Sequence, residues 1–296
     1  MNIYAHKDAN IRKTWLLMAL FFGVVVGLGW TFSYIYDDQI IVIVAVVFSV
    51  LMNIISYWNS DKIVIAISGA KPADPQIHLE LHRIVENLAI TAGLPKPKVY
   101  VIEDNAPNAF ATGRDPEHAA VAVTTGLLSI LDRSELEGVI AHELSHVGNR
   151  DILVSTVAVV LVGFVTLLSD FFLRTMRFGG SRDRKGGHPA ILIIGIILAI
   201  LSPIAATLIH LGISRKREFL ADASGALLTR YPEGLAAALK KIAVASQPLM
   251  RANHATAHLY IANPFGDGKS SKQSFLTKIF STHPPLEERI TALLEK

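Results

Sequence analysis

Residues 141–151 read Ala141-His142-Glu143-Leu144-Ser145-His146-Val147-Gly148-Asn149-Arg150-Asp151, and the fold of the chain is decided by how this stretch is read. Two histidines four apart on a helix leave the same face about one turn apart, which suits two imidazole nitrogens on a single zinc ion. His142 and His146 have that spacing. Glu143 then falls beside the metal rather than on it. From there its carboxylate can take the proton of the attacking water and pass it to the leaving amine. Ala141, Leu144 and Val147 give the helix an apolar component, so it is expected to lie inside a folded unit. The chain has no cysteine, which excludes disulfides and thiolate metal sites and leaves histidine and carboxylate as the ligands of any bound metal.

Upstream, Ser134-Glu135-Leu136-Glu137 has the pattern of a capping box and predicts where the histidine helix begins. Residues 74–93 place Ile77, Leu81, Ile84, Val85 and Leu88 at helical spacing and end at Gly93 before Pro95, an amphipathic helix. Residues 99–102 and 119–124 are short, β-branched and bounded by turn formers, and 108–112 is a third candidate strand. Downstream, 214–229 and 233–245 read as helices, and 247–274 as a loop. The expected fold class is therefore mainly α with a small β-sheet, α+β.

A hydrophobic content of 51% and a mean hydropathy of +0.41 exceed those of ordinary soluble domains. Four stretches, 15–36, 40–58, 152–173 and 190–213, are each long enough to cross a hydrocarbon core as a helix. Lys7, Arg12 and Lys13 before the first, with Asp37-Asp38 between the first two, place the N-terminus in the cytoplasm. The expected division is an N-terminal transmembrane hairpin over 1–58, a cytoplasmic unit made of 59–151 and 214–296, and a second hairpin over 152–213. Arg174, Arg177, Arg182, Arg184 and Lys185 in the second turn resist being outside; two crossings are favoured over a hairpin that dips without crossing. Either way residues 150 and 215 end on one side. The net charge of +3 and pI near 9.0 come from basic residues gathered beside these spans, so the expected partner is an anionic lipid surface and not nucleic acid.

A second carboxylate segment, Arg217-Glu218-Phe219-Leu220-Ala221-Asp222, lies on the helix predicted over 214–229. Catalytic zinc keeps three protein ligands and one open position, and two histidines with one glutamate is a known set. Glu218 is the natural third ligand. Asp222, one turn later, can accept the second ring N–H of a ligand histidine and fix its tautomer. His78 with His82 and His254 with His258 share the four-residue spacing but lack the glutamate; the first pair is expected to face solvent and the second to lie in a loop.

The run 141–146, the segment Ser214-Arg215-Lys216-Arg217-Glu218-Phe219-Leu220-Ala221-Asp222, and Ser281-Thr282-His283-Pro284-Pro285 with Arg289 together resemble the HtpX family of bacterial membrane metalloproteases, over essentially the whole chain. The resemblance implies a zincin-like zinc endopeptidase of the cytoplasmic membrane, with one zinc per chain and its peptidase domain facing the cytoplasm. It would degrade damaged or misassembled membrane proteins in stress response and protein quality control. His142, His146 and Glu218 become the zinc ligands and Glu143 the general base. The resemblance adds His283 as a catalytic hydrogen-bond donor to the developing oxyanion, with Arg289 in support. It also makes Asn108, Ala109 and Phe110 the edge strand on which an extended substrate lies by strand addition. Two other classes stand beside this reading. One is a non-catalytic membrane scaffold that retains the metal site. The other is a prenyl-protein (CAAX) protease, for which four spans form too small a chamber.

Overall fold

The computed structural model describes residues 3–178, 215–252, 256–266 and 284–295. The stretch 190–213, His254 and His283 lie outside the described residues. Helices α1 (Ile3–Tyr36) and α2 (Ile40–Ser68) form an antiparallel pair long and apolar enough to cross a membrane. Their outward faces carry large apolar side chains that are exposed among the described residues, among them Trp30, Ile40, Ile43, Val44 and Leu51. Aromatic residues cluster at both ends: Trp15 stacks on Tyr57 beside Trp58 at one, and Trp30 stacks on Tyr34 at the other. Trp15 and Tyr36 are about 31 Å apart along the axis at 1.5 Å per residue, close to the ~30 Å of a hydrocarbon core. Both helices run past the first aromatic cluster. Of the 34 residues of α1, a dozen precede Trp15.

Next comes a four-stranded sheet, ordered β1-β2-β4-β3, built from β1 (Lys71–Pro72), β2 (Lys98–Ile102), β3 (Ala109–Gly113) and β4 (Ala119–Thr124). β2 and β4 are parallel, with Val99 opposite Val121; β3 is antiparallel to β4 and forms one edge. The three expected strands are present, and β1 adds a two-residue pairing too short to show in composition. α3 (Leu79–Ala92) buries Leu81, Ile84, Val85 and Leu88 and ends at Gly93, whose φ of 66° is a left-handed cap that glycine tolerates. His82 does not face open solvent as expected. It is half-buried, with Nε2 3.0 Å from the Ala73 carbonyl.

After a short α4 (Thr125–Ile130), α5 (Arg133–Gly148) carries both metal-motif histidines. Its capping box starts two residues earlier than the sequence suggested: Asp132 accepts from Glu135 N–H, and Glu135 reaches back to Asp132 N–H. Either pair fits the pattern, but the buried Glu135 also meets Lys241 at 2.6 Å, and that tertiary contact selects it. α5 meets α6 (Asp151–Phe178) at 83°, across Asn149 and Arg150, the latter at φ 56°. The first three turns of α6 are buried between the α1–α2 pair and β3. α7 (Arg215–Thr229) and α8 (Pro232–Val244) flank α5. Gly225 lets α7 approach until a β-carbon there would stand 2.9 Å from the His142 backbone nitrogen. α9 (Leu286–Leu294) packs on both.

Candidate metal centre

α5 aims His142 and His146 to one side, and the close passage of α7 sets Glu218 opposite them. The two Nε2 atoms lie 3.3 Å apart. Glu218 oxygens stand 3.8 Å from that of His142 and 3.5 Å from that of His146. Ligands bonded to zinc at 2.0–2.1 Å in tetrahedral geometry are separated by about 3.3–3.4 Å, so the two ring nitrogens have the spacing of such a site and the Glu218 carboxylate, one oxygen toward each ring, stands within a few tenths of an ångström of it. All three residues are buried or nearly so.

The chemistry of the donors agrees. His142 Nδ1 is 2.9 Å from Asp222, and His146 Nδ1 is 3.2 Å from Asp151. A carboxylate only accepts, so each Nδ1 carries the hydrogen and each neutral ring presents a lone pair at Nε2. Two lone pairs and a carboxylate thus converge on one point, an arrangement that calls for a cation. The acidic groups around His146 favour positive charge at this point. Burial opposes the charge, yet Asp151, Glu218 and Glu143 raise its pKa to about 9. His142 moves the other way, kept neutral by burial and by the Arg289 guanidinium.

Asp222 is gripped from behind. Arg289 donates to both of its oxygens at 2.8 and 2.7 Å, and also donates to the Ile261 carbonyl at 3.3 Å. Burial acts to raise the Asp222 carboxyl, but the fork of Arg289 and the His142 ring hold it down at about 2. Arg289 itself is 0% exposed, the largest fully enclosed side chain among the described residues.

Glu143 sits beside the two histidines, not between them. Burial pushes its carboxyl up to about 7, against pull from His146 and from the Ala111 backbone N–H that donates to it. A carboxylate poised there can both take and return a proton near neutrality. Ala111 belongs to β3, so the edge strand positions the base. The same strand holds Ala109 and Phe110, and Asn108 immediately precedes it; all three are buried. Asn108 clamps both backbone groups of Ala262, the Ala109 carbonyl accepts from Ile261 N–H, and Phe110 meets the Tyr260 ring edge-on at 5.1 Å. This end of β3 is paired by the protein's own chain. Ala111 is the residue of the strand that lines the cleft.

Four residues at the site were not singled out. His258, set aside with a loop, lines the cleft and bonds through Nε2 to the Ser155 carbonyl at 3.1 Å. Asp151, Arg217 and Asn10 form the support behind His146, with Arg217 Nη1 3.3 Å from Asp151 and 3.2 Å from the Asn10 side-chain oxygen.

A buried H-E-x-x-H helix, with a carboxylate as third ligand from a second helix and an edge strand against the base, defines a zinc metallopeptidase centre. The chain belongs to peptidase family M48, whose model, described as Peptidase family M48, matches residues 75–296. It is 46% identical to the protease HtpX homolog of Thermoanaerobacter pseudethanolicus, an alignment covering 98% of this chain and 97% of that protein. It is 50% identical to the protease HtpX homolog of Pyrococcus furiosus, over 95% of this chain and 94% of that one. The crystal structure of S. mikatae Ste24p superposes with a TM-score of 0.48 and 22% identity, over 98% of this chain and 66% of that chain. The protein is a membrane metalloprotease that uses zinc to hydrolyse peptide bonds.

Proposed function

We propose that the protein is a multi-pass endopeptidase of the cytoplasmic membrane, its peptidase domain facing the cytoplasm, that cuts extended segments of misfolded or damaged membrane proteins. The convergence of His142, His146 and Glu218 beside Glu143 carries the reading. Zinc held by those three residues would polarise the scissile carbonyl and acidify a water. Glu143, fixed by the Ala111 N–H, takes the proton from the attacking water and returns it to the leaving amine. His283 is assigned the hydrogen bond to the oxyanion on family resemblance alone. The substrate lies extended against the outer edge of β3 at Ala111, while Asn108, Ala109 and Phe110 brace the strand from its other end. A cleft that reads backbone rather than side chains favours unfolded segments of many sequences. The basic residues Arg12 and Lys13 next to the first aromatic cluster support a cytoplasmic placement of that end.

The test compares full-length wild type with Glu143→Gln in detergent. Zinc content should stay at one per chain in both. Cleavage of an unfolded substrate should fall by about 10²–10⁴-fold in the variant, the usual share of a general base. Undiminished cleavage would remove Glu143 from the mechanism.

A further inference from the structure

The 34 residues of α1 make a rod about 51 Å long, some 20 Å more than a hydrocarbon core needs. The surplus leads from Trp15 to the corner between α5 and α6, and there Asn10 is only 3% exposed. Its amide nitrogen donates to Asp151 Oδ1 at 2.8 Å and to the Asn149 carbonyl at 3.2 Å, and its oxygen accepts from Arg217 Nη1 at 3.2 Å. Asn10 thereby ties together the end of the histidine helix, the start of α6 and the residue before Glu218. Asp151 Oδ1 faces Asn10 and Arg217, which leaves Oδ2 aimed at His146 Nδ1. A buried primary amide is costly unless its groups are bonded, and here both its nitrogen and its oxygen are bonded to buried charged groups.

We propose that Asn10 is a positioning residue of the metal centre, through which membrane helix α1 takes part in orienting His146. The chain of contact is Asn10 to Asp151 to His146, with no direct approach to the metal position. The anchor and the catalytic centre are then one mechanical unit, and a shift of α1 against the peptidase domain loosens a zinc ligand. This inference rests on the reading that His146 binds zinc.

The experiment uses the full-length, zinc-loaded protein in detergent and follows transfer of Zn²⁺ to an excess of a chromogenic chelator. Partners one bond behind a ligand are typically worth 10- to 100-fold in metal affinity, so Asp151→Ala should release zinc about 10- to 100-fold faster than wild type, and Asn10→Leu about 10-fold faster. Asn10→Leu placed on Asp151→Ala should add less than about 2-fold, because both changes cut the same path. Thr14→Val, one turn along the same buried face, should release zinc like wild type. With Co²⁺ in place of zinc, Asn10→Leu should shift the visible ligand-field bands and Thr14→Val should not. Release from Asn10→Leu at the wild-type rate overturns the proposal. So does a full multiplicative effect on Asp151→Ala, or a Thr14→Val effect equal to that of Asn10→Leu, since either marks general loosening of the helix. A wild-type protein that retains no zinc would instead overturn the metal reading itself.

Discussion

His142 and His146 stand one helical turn apart and face the same point, yet the carboxylates behind them are held in different ways. Asp222 meets His142 at 2.9 Å and is forked by Arg289 at 2.7 and 2.8 Å, in a group whose side chains are at most 3% exposed. Asp151 meets His146 at 3.2 Å and is held by Asn10 and by a single 3.3 Å contact from Arg217, with 15% of the His146 side chain exposed. The first support lies wholly within the peptidase domain. The second reaches across to a membrane helix. A bidentate guanidinium in a dry site fixes angle as well as distance, whereas longer contacts near water fix less. One ligand is therefore stiff, and the other is adjustable from outside the domain.

The largest expected effect comes from removing the stiff support. Arg289→Met leaves Asp222 a buried carboxylate without its cation, and breaking such a pair costs about 3–5 kcal/mol. Denaturant unfolding should show that loss together with depleted zinc, and wild-type stability would mean that Asp222 does not need its fork. Next in size, Asp222→Asn should weaken zinc binding toward the upper end of the ~10- to 100-fold range, and Asp151→Asn toward the lower end. Competition with a chelator measures both, and equal effects would erase the difference between the two supports. The smallest effect belongs to Arg217→Met, since Asn10 still holds Asp151: zinc affinity should fall by less than about 10-fold. A drop matching that of Arg289→Met would reverse the ranking.

On the stiff side the Glu218 and Asp222 pair was legible in the sequence, while the Arg289 fork on Asp222 was not, since Arg289 was read there as support for His283. Glu218 and Asp222 are four apart on a predicted helix, and the regular spacing that pairs His142 with His146 pairs them too. The adjustable side was not, because the same regularity misleads there. On an unbroken helix, residues five apart point about 140° away from each other, which would carry Asp151 off the metal face. The left-handed Arg150 and the 83° corner turn it back toward His146. Asn10 is 141 residues from Asp151, and no local pattern reports such a meeting. The sheet was readable from its β-branched runs, but the pairing of Ile261 on Ala109 was not, since 256–266 has neither strand composition nor period. His258 shared that obscurity. Spacing alone gave it no glutamate neighbour, and its place in the cleft follows from that same tertiary pairing.

Arg289 follows His142 by 147 residues, and it closes the cage around Asp222. A ribosome adding about 5–20 residues per second needs roughly 7–30 s to cover that distance. During that interval the histidines, the base and the third ligand have been synthesised in turn, but the centre that orients them is incomplete. Until the helix that brings Arg289 is made, Asp222 on the emerging chain lacks the guanidinium that forks it.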